Sequence, residues 1–340
     1  MGRWAKVLLC AALAVCLAAC APKEYTGQIF AMDTFMQLTV YGDGDGVTGQ
    51  QALQSAQSRV YELEAVLSVT RDNSDVHKIN AGCGQSVTVD EDTAALLSRT
   101  LELCEETGGA LDITAYPAVR AWGFTTGEHR VPESEELAAL AEKIDYTQVK
   151  LEGTGVILPE NVQIDLGAVA KGFTGDVLAD QLRKAGIKSA CLSLGGNIHT
   201  IGTNSEGKPW RVGIQHPTTG GALAVVEVMD KAVVTSGNYQ RYFEENGETY
   251  WHILDPDTAS PARSGLVSVS IIGSEGTRCD ALSTALFVMG LEKASEFWNE
   301  HRDFEAVFVT NEGEIYITGG LKDSFSLLEP FQDLEVRVIE

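Results

Sequence analysis

The sequence predicts an α+β fold, in which helices pack on a largely antiparallel sheet within one compact domain of one or two lobes. Short alternating segments joined by tight turns indicate many strands, and helical periodicities fall between them. Strands and helices mixed in this way favour an α+β architecture. After residue 27 no linker rich in Pro, Gly or Ser interrupts the chain, and 44% of the residues are apolar against 21% charged, which indicates one sizeable core.

The first half of the chain is predicted to open with one strand, which three helices follow. Residues 28–41 alternate as a strand, with residues 31–34 inside it or in a bulge of it. The side chains expected on its inward face are Phe30, Met36, Leu38 and Val40. Apolar spacing and capping residues predict the helices at 48–67, from Asp90 or Asp92 to Gly108–Gly109, and at 133–143.

The second half of the chain is predicted to be richer in strands. A helix is expected to follow residues 167–172 and to end near Lys184, before Gly186, and another is expected at 280–289. The last two strands form a hairpin around residues 311–313. The strands are expected at 162–166, 189–194, 210–215, 223–228, 232–236, 249–254, 267–272, 306–310 and 315–318.

The N-terminal residues have the order of a bacterial lipoprotein signal. Arg3 and Lys6 precede an apolar run that is too short to span a bilayer, and small residues lead to Cys20. We expect a signal peptide at 1–19, a lipid on Cys20, a tether at 20–27 and the folded domain at 28–340. An ordinary cleaved signal is the alternative. The lipid would anchor the protein outside the cytoplasm, on the periplasmic face or the outer cell surface.

The net charge restricts the partners. It is −23 for the whole chain, and removing Arg3 and Lys6 makes it −25. A field of this sign repels polyanions, so no nucleic-acid partner is expected. Any phosphate-bearing ligand needs a local cation, either a metal ion or a lysine in the site.

The cysteines beyond Cys20 do not predict a zinc site. Cys83, Cys104, Cys191 and Cys279 form no C-x-x-C pair. Export permits disulfides, but the spacing selects no pairing, and free buried thiols are the alternative.

Asp280 and Thr284 are candidate ligands of a divalent metal. Residues four apart on a helix share a face, so the carboxylate and the hydroxyl point the same way. Two hard oxygens on one face suit Mg²⁺, which keeps positions for phosphate and water. The alternative is that Asp280 caps the helix and Thr284 packs.

Two further segments are candidates for binding and proton transfer. From Asp165 to Gly172 a strand end, a glycine turn and a helix start form an anion site, to which Lys171 adds a positive charge. The alternative is a plain strand–helix connection. His252, on a strand before an Asp-Pro turn, is a candidate general base, or else a structural histidine.

Taken together, eight motifs resemble the FAD:protein FMN transferases, the ApbE family, in the family's order and over about residues 28–320. They are AMDT at 31–34, DIT at 112–114, WGF at 122–124, DLGAVAKG at 165–172, LGGN at 194–197, TSGNY at 235–239, HILDP at 252–256 and DALSTA at 280–285. The resemblance implies transfer of FMN from FAD, with Mg²⁺, to a threonine or serine of a flavoprotein in a respiratory or electron-transfer complex, with AMP released.

The resemblance also implies a role for each matching residue. It implies that Asp280, Thr284 and the Ala168 carbonyl bind the metal and that His252 is the base. It implies FAD contacts by Met32, Ala110, Leu111, Asp112, Asp165, Lys171 and Ile253. The chain departs from the family pattern at Thr70, where a tyrosine is frequent, and at Asp33, where glycine is frequent.

Two other functions fit the same residues. An FAD pyrophosphatase would use the metal site with water as the acceptor and release FMN and AMP. A lipoprotein that only binds flavin would need no acceptor.

Overall fold

The computed structural model describes residues 23–42 and 47–340. The predicted signal peptide and the predicted lipidation site, Cys20, lie outside the described residues. Residues 23–27 of the predicted tether belong to the first strand, so the folded domain includes them. No helix in the described part of the chain is long and apolar enough to cross a membrane.

A nine-stranded sheet forms the frame of the molecule. Neighbouring strands are antiparallel except for the last pair, which is parallel. In spatial order the strands are β1 (Lys23–Ala31), β2 (Thr34–Gly42), β6 (Ser189–Leu194), β7 (Asn197–Ile201), β10 (Ala232–Gly237), β15 (Leu266–Gly273), β16 (Glu305–Thr310), β17 (Ile315–Thr318) and β19 (Val336–Ile339).

Four small sheets complete the β structure that the described residues form. One lies against the large sheet and contains β8 (Trp210–Gln215), β9 (Ala222–Val228) and β18 (Phe325–Leu327). The others are β3 (Val87–Thr88) with β5 (Gly155–Ile157) and β4 (Lys150–Glu152), the hairpin of β11 (Tyr242–Glu245) and β12 (Glu248–Trp251), and the pair β13 (Leu254–Asp255) and β14 (Ser260–Pro261).

Seven α-helices lie in the described part of the chain. Three of them, α1, α6 and α7, pack against the large sheet, and α6 packs against both α1 and α7. In chain order the helices are α1 (Val47–Leu67), α2 (Asp75–Ala81), α3 (Glu91–Glu106), α4 (Tyr116–Ala121), α5 (Ser134–Ala141), α6 (Ala170–Lys184) and α7 (Gly276–His301).

The central strands are apolar on both faces because both faces are covered. Val233 of β10 pairs with Ile272 of β15, and both pack on the β8–β9 side. Their neighbours Val234 and Ile271 point the other way and join the core under α7. Successive side chains of a strand alternate between faces, so one pair of strands contributes to two cores. The predicted α+β class with a largely antiparallel sheet is confirmed.

The predicted opening strand is wrong, because residues 23–42 form a hairpin. Met32 and Asp33 form its two-residue turn, with φ of 49° and 61°. Phe30 pairs with Phe35 across the turn, so the inward set changes from odd to even numbers there. Phe30 is therefore 55% exposed, whereas Met36 is buried. The sequence contains no turn signal at this point, because Met32 and Asp33 are not the Asn-Gly or Asp-Gly pair that usually marks a two-residue hairpin turn.

Two other predicted strands are also wrong. Residues 162–166 form no strand, because the side chain of Asn80 donates to the Ile164 carbonyl at 2.8 Å and accepts from its N–H at 2.7 Å. A side-chain amide thus replaces the partner strand. The predicted strand 249–254 is interrupted at His252 and Ile253, between β12 and β13.

The predicted helix 280–289 is longer in the structure. Helix α7 begins at Gly276, with Glu275 at its N-cap, and continues to His301 past a break at Gly290. Asp280 therefore lies in the second turn and does not cap the helix. The four cysteines of the described chain, Cys83, Cys104, Cys191 and Cys279, are all free thiols.

Candidate active site

One cavity brings the predicted site residues together. Its volume is about 920 Å³, within the usual range for a small-molecule site. Its walls come from the β1–β2 turn, the start of α6, the N-terminal part of α7 and the segments around residues 110–125 and 239–256. All eleven predicted site residues line it: Met32, Ala110, Leu111, Asp112, Asp165, Ala168, Lys171, His252, Ile253, Asp280 and Thr284.

Helices α6 and α7 meet at the floor of the cavity, where glycine allows a very close approach. A Cβ on Gly172 would lie 2.3 Å from the Gly276 carbonyl oxygen and 2.8 Å from the Asp280 Cβ. The Gly172 N–H donates to Asp280 Oδ2 at 2.9 Å. This contact fixes the carboxylate of Asp280 beside the first turn of α6, one residue from Lys171.

Asp280 is a buried carboxylate whose charge has several partners. Only 4% of the residue is exposed, and this burial raises the pKa of the carboxyl group. The Lys171 charge, the Gly172 N–H and the Asn197 side chain act in the opposite direction and lower that pKa. Thr284 lies one turn further along the same helix, with its Oγ1 3.2 Å from Ser236 Oγ. The predicted shared face of Asp280 and Thr284 is therefore present.

The oxygen atoms around Asp280 fit Mg²⁺. In a regular helix the Gly172 N–H would donate to the Ala168 carbonyl, but here it donates to Asp280. Within the described residues no backbone N–H donates to that carbonyl. Asn197 Oδ1 is also buried with no partner in the described chain. Carboxylate, hydroxyl and carbonyl oxygens are the ligands that Mg²⁺ prefers.

His252 is held as a neutral imidazole with one free nitrogen. Its Nδ1 lies 3.3 Å from the Arg241 carbonyl oxygen, which also accepts from the His252 backbone N–H at 3.1 Å. A carbonyl can only accept, so Nδ1 carries the proton and Nε2 keeps a lone pair. Burial, followed by the charge of Arg241, lowers the pKa of His252 to about 4.

Lys171 lines the cavity together with Asp165, Asp280 and His252. Its positive charge lowers the pKa of all three side chains. Asp165 Oδ1 accepts from the Gly167 N–H at 3.0 Å, and burial raises the pKa of its carboxyl group. Lys171 thus lines the cavity at the start of α6, where the sequence predicts an anion site.

Asp112 has a structural task that the sequence did not indicate. Its Oδ1 accepts from the N–H and the hydroxyl of Thr114, and its Oδ2 accepts from the Tyr146 N–H at 2.9 Å. The carboxylate therefore holds the cavity wall at residues 110–114 in place against residues 145–146.

Sequence reasoning missed three charged groups of the cavity, Glu64, Arg71 and Arg241. Glu64 accepts from the Met32 N–H at 2.7 Å and pairs with Arg71 at 2.8 Å, so it holds the hairpin turn against the cavity. Arg241 pairs with Asp33 at 2.9 Å, although 208 positions separate the two residues. Neither pair has a local spacing signal in the sequence.

The comparison with family models decides the family. The model of the ApbE family matches residues 32–308, which is most of the chain. The chain belongs to the ApbE family. All the residues that line the cavity, except Phe30, lie within the matched residues.

Curated relatives of this ApbE family member are named enzymes. A protein of Treponema pallidum named FAD:protein FMN transferase is 34% identical over 326 residues, which cover 90% of this chain and 90% of that protein. A protein of Escherichia coli K12 with the same name is 31% identical over 300 residues, 84% of each chain. The family membership thus identifies the chain as an enzyme.

Solved ApbE structures share the fold. The ApbE protein of Thermotoga maritima is 30% identical, with a TM-score of 0.83 over 89% of this chain and 99% of that one. The flavin transferase ApbE of Vibrio cholerae is 25% identical, with a TM-score of 0.76 over 92% of this chain and 100% of that one.

Proposed function

We propose that this chain transfers FMN from FAD, with the help of Mg²⁺, to a threonine or serine hydroxyl of an acceptor flavoprotein. The observation that carries the proposal is one cavity that holds a free imidazole nitrogen, a lysine and a pair of hard oxygens on α7. The names of the relatives support the donor and the transferred group.

The residues divide the chemistry among them. The hydroxyl oxygen of the acceptor bonds to the FMN phosphorus, and the bond from that phosphorus to the oxygen of AMP breaks. Nε2 of His252 takes the hydroxyl proton as general base. Lys171 holds the pyrophosphate at the start of α6, where backbone N–H groups favour anions. Bound Mg²⁺ would be held by Asp280, Thr284 and the Ala168 carbonyl, and it would neutralise charge on the leaving AMP.

The excess of carboxylates in the cavity supports the proposal that a bound metal ion adds positive charge to the site. Five carboxylates but only three cationic side chains line the cavity: Asp33, Glu64, Asp112, Asp165 and Asp280 against Arg71, Lys171 and Arg241. A pyrophosphate would be repelled by this set without a further positive charge. A divalent ion held beside Asp280 would supply it.

The decisive experiment is covalent labelling of an acceptor. The purified domain is incubated with FAD, Mg²⁺ and an acceptor that carries a serine or threonine flavinylation site, with the matching alanine acceptor as control. We expect flavin fluorescence that stays with the acceptor band on a denaturing gel and disappears on chelation. Free FMN and AMP with no labelled band would contradict the proposal and favour the FAD pyrophosphatase. Intact FAD with several acceptors would favour a flavin-binding protein.

Metal binding has its own test, which does not depend on activity. Asp280→Asn keeps an oxygen that can accept from Gly172, so we expect the folded state to persist while metal affinity is lost. Mg²⁺ at 100 times its Kd stabilises a protein by about 2.7 kcal/mol, so it should raise the Tm of the wild type but not that of Asp280→Asn. Asp303→Asn, at an exposed aspartate beside the end of α7, is the control that should keep the rise.

We also propose that the acceptor belongs to a respiratory or electron-transfer complex and that a lipid on Cys20 holds the enzyme outside the cytoplasm. The order of charged, apolar and small residues before Cys20 supports the anchor. Cys20→Ser should move the full-length protein from the membrane fraction to the soluble fraction. Unchanged membrane association would contradict the anchor.

A further inference from the structure

Arg241 lines the cavity and forms an exposed ion pair with Asp33, and we call the part of the cavity at this ion pair its mouth. Its guanidinium contacts Asp33 at 2.9 Å, and the Asp33 carboxylate makes no other ion pair with the described residues. The side chain of Asp33 is 78% exposed and that of Arg241 47% exposed. An exposed ion pair of this kind adds little stability. The ion pair therefore positions the Arg241 side chain, but little free energy is lost when Arg241 leaves Asp33 for another anion.

Arg241 is tied to the candidate base by its own backbone. Its carbonyl oxygen accepts from both the backbone N–H and the Nδ1 of His252. Its positive charge lowers the pKa of His252 and of Asp165, which line the same cavity. The side chain of Arg241 and the imidazole that its backbone holds therefore share one cavity.

The other two cationic side chains of the cavity, Arg71 and Lys171, differ from Arg241 in the groups that they contact. Arg71 is paired with Glu64, whose second oxygen is fixed by the Met32 N–H, so this pair is part of the wall. Lys171 forms no ion pair within 4 Å among the described residues, and its charge acts on Asp280. Arg241 is the cation whose partner is an exposed carboxylate on a turn, and a phosphate offers it a better bidentate partner.

We propose that Arg241 is a further catalytic residue, which leaves Asp33 when FAD binds and contacts the phosphoryl group that is transferred. This inference rests on the proposed function. In the step, the acceptor oxygen bonds to the FMN phosphorus, the bond to the AMP oxygen breaks and the proton goes to His252. The charge that develops on the free oxygens of the phosphoryl group is met by the guanidinium, which needs no other reactant. Asp33 is a positioning residue that keeps Arg241 at the mouth until the ligand arrives.

The first test compares variants in a single turnover at saturating FAD. Arg241→Gln should lower the rate of transfer to the acceptor by roughly 100-fold or more, as the loss of a group that stabilises transition-state charge does. Arg241→Lys should recover part of the rate, since it restores the charge but not the fork. Arg263→Gln is the matched control, because Arg263 is similarly exposed, pairs with Glu248 at 3.8 Å and does not line the cavity.

The second test addresses Asp33 through FAD binding, measured by quenching of flavin fluorescence. Asp33→Asn removes the competitor for Arg241, so FAD should bind several-fold more tightly. In the double variant with Arg241→Gln this gain should vanish, because the gain acts only through Arg241. Equal gains in both backgrounds would overturn the role of Asp33.

The outcomes separate this inference from the proposed function. Wild-type enzyme that labels the acceptor together with Arg241→Gln that labels it at the same rate would overturn the role of Arg241 and leave the transferase intact. Wild-type enzyme that releases FMN without labelling any acceptor would overturn both. Arg241→Gln that is slow in transfer, with a Tm equal to that of Arg263→Gln, is the result expected here.

Discussion

The surroundings of His252 keep its imidazole neutral. Nδ1 is fixed on the Arg241 carbonyl, and burial with two nearby cations makes a second proton unfavourable. The native state therefore binds fewer protons than the unfolded chain between the native pKa of about 4 and the ordinary value of 6.5. This contribution to stability is present above pH 6.5 and is lost as the pH falls toward 4.

The pH profile of the transfer reaction follows from the same shift. Only the neutral imidazole accepts the hydroxyl proton, so kcat/KM for FAD should be independent of His252 ionisation above pH 5 and should fall below a pKa of about 4. The measurement is kcat/KM against pH, with circular dichroism at each pH to confirm folding. An acidic limb near 6.5, absent in His252→Asn, would show an ordinary solvated histidine and contradict the geometry.

The positions of several site residues relative to one another could be predicted from the sequence, because these residues lie together in short motifs. Asp280 and Thr284 share a helix face, and the glycine turn before Lys171 precedes a helix start, so local spacing places both. Arg241 and Glu64 were missed because their partners are distant in the chain and form no periodic pattern. Ion pairs of this kind exist only after the sheet brings the segments together.

At the scale of elements, predictions succeeded where one segment buries one face. Strands β6, β8 and β17 have the predicted bounds, since their alternation reports burial directly. The prediction failed where a side chain takes the place of a neighbouring strand. It also failed at residues 32–33, where a short turn leaves the alternation of apolar residues without a visible break. Val162, Ile164 and Leu166 are buried and alternate with polar residues, but the Asn80 side chain bonds to the Ile164 backbone in place of a strand.

The packing of strand β1 predicts that the folded domain begins at residue 23. Residues 23–27 pair with the last residues of β2, and Tyr25, 7% exposed, packs against Gly49 of α1. A chain that starts at Lys23 should therefore keep the Tm of the longer protein. A chain that starts at Gln28 should lose about 3 kcal/mol of unfolding free energy, as removal of a buried aromatic side chain does.

The two chains are compared by urea denaturation, and Lys23→Ala in the longer protein serves as the control. Lys23 is exposed at the start of the strand, so its substitution should change the unfolding free energy by less than about 0.5 kcal/mol. Equal stability of the two truncated chains would mean that residues 23–27 are the tether that the sequence predicted.

For the whole molecule, the acidic charge opposes the binding of a pyrophosphate until the ligand reaches the cavity. The net charge of −23 creates a long-range repulsion, whereas Lys171 and Arg241 act only within the site. The composition alone indicates this conflict. The arrangement that resolves it, two cations and the hard oxygens of α7 around one cavity, depends on the sheet and could not be read from composition.

Ionic strength should therefore affect FAD and a neutral flavin differently. Raising the salt from roughly 10 to roughly 150 mM shortens the Debye length from about 30 to about 8 Å, which screens the distant carboxylates more than the cations inside the cavity. We expect the association rate constant of FAD, measured by stopped-flow flavin fluorescence at saturating Mg²⁺, to rise several-fold. Riboflavin, which carries no phosphate, should bind at a constant rate. A fall for FAD would mean that the cations of the cavity govern the encounter already at long range, and that the acidic surface has no part in selecting the ligand.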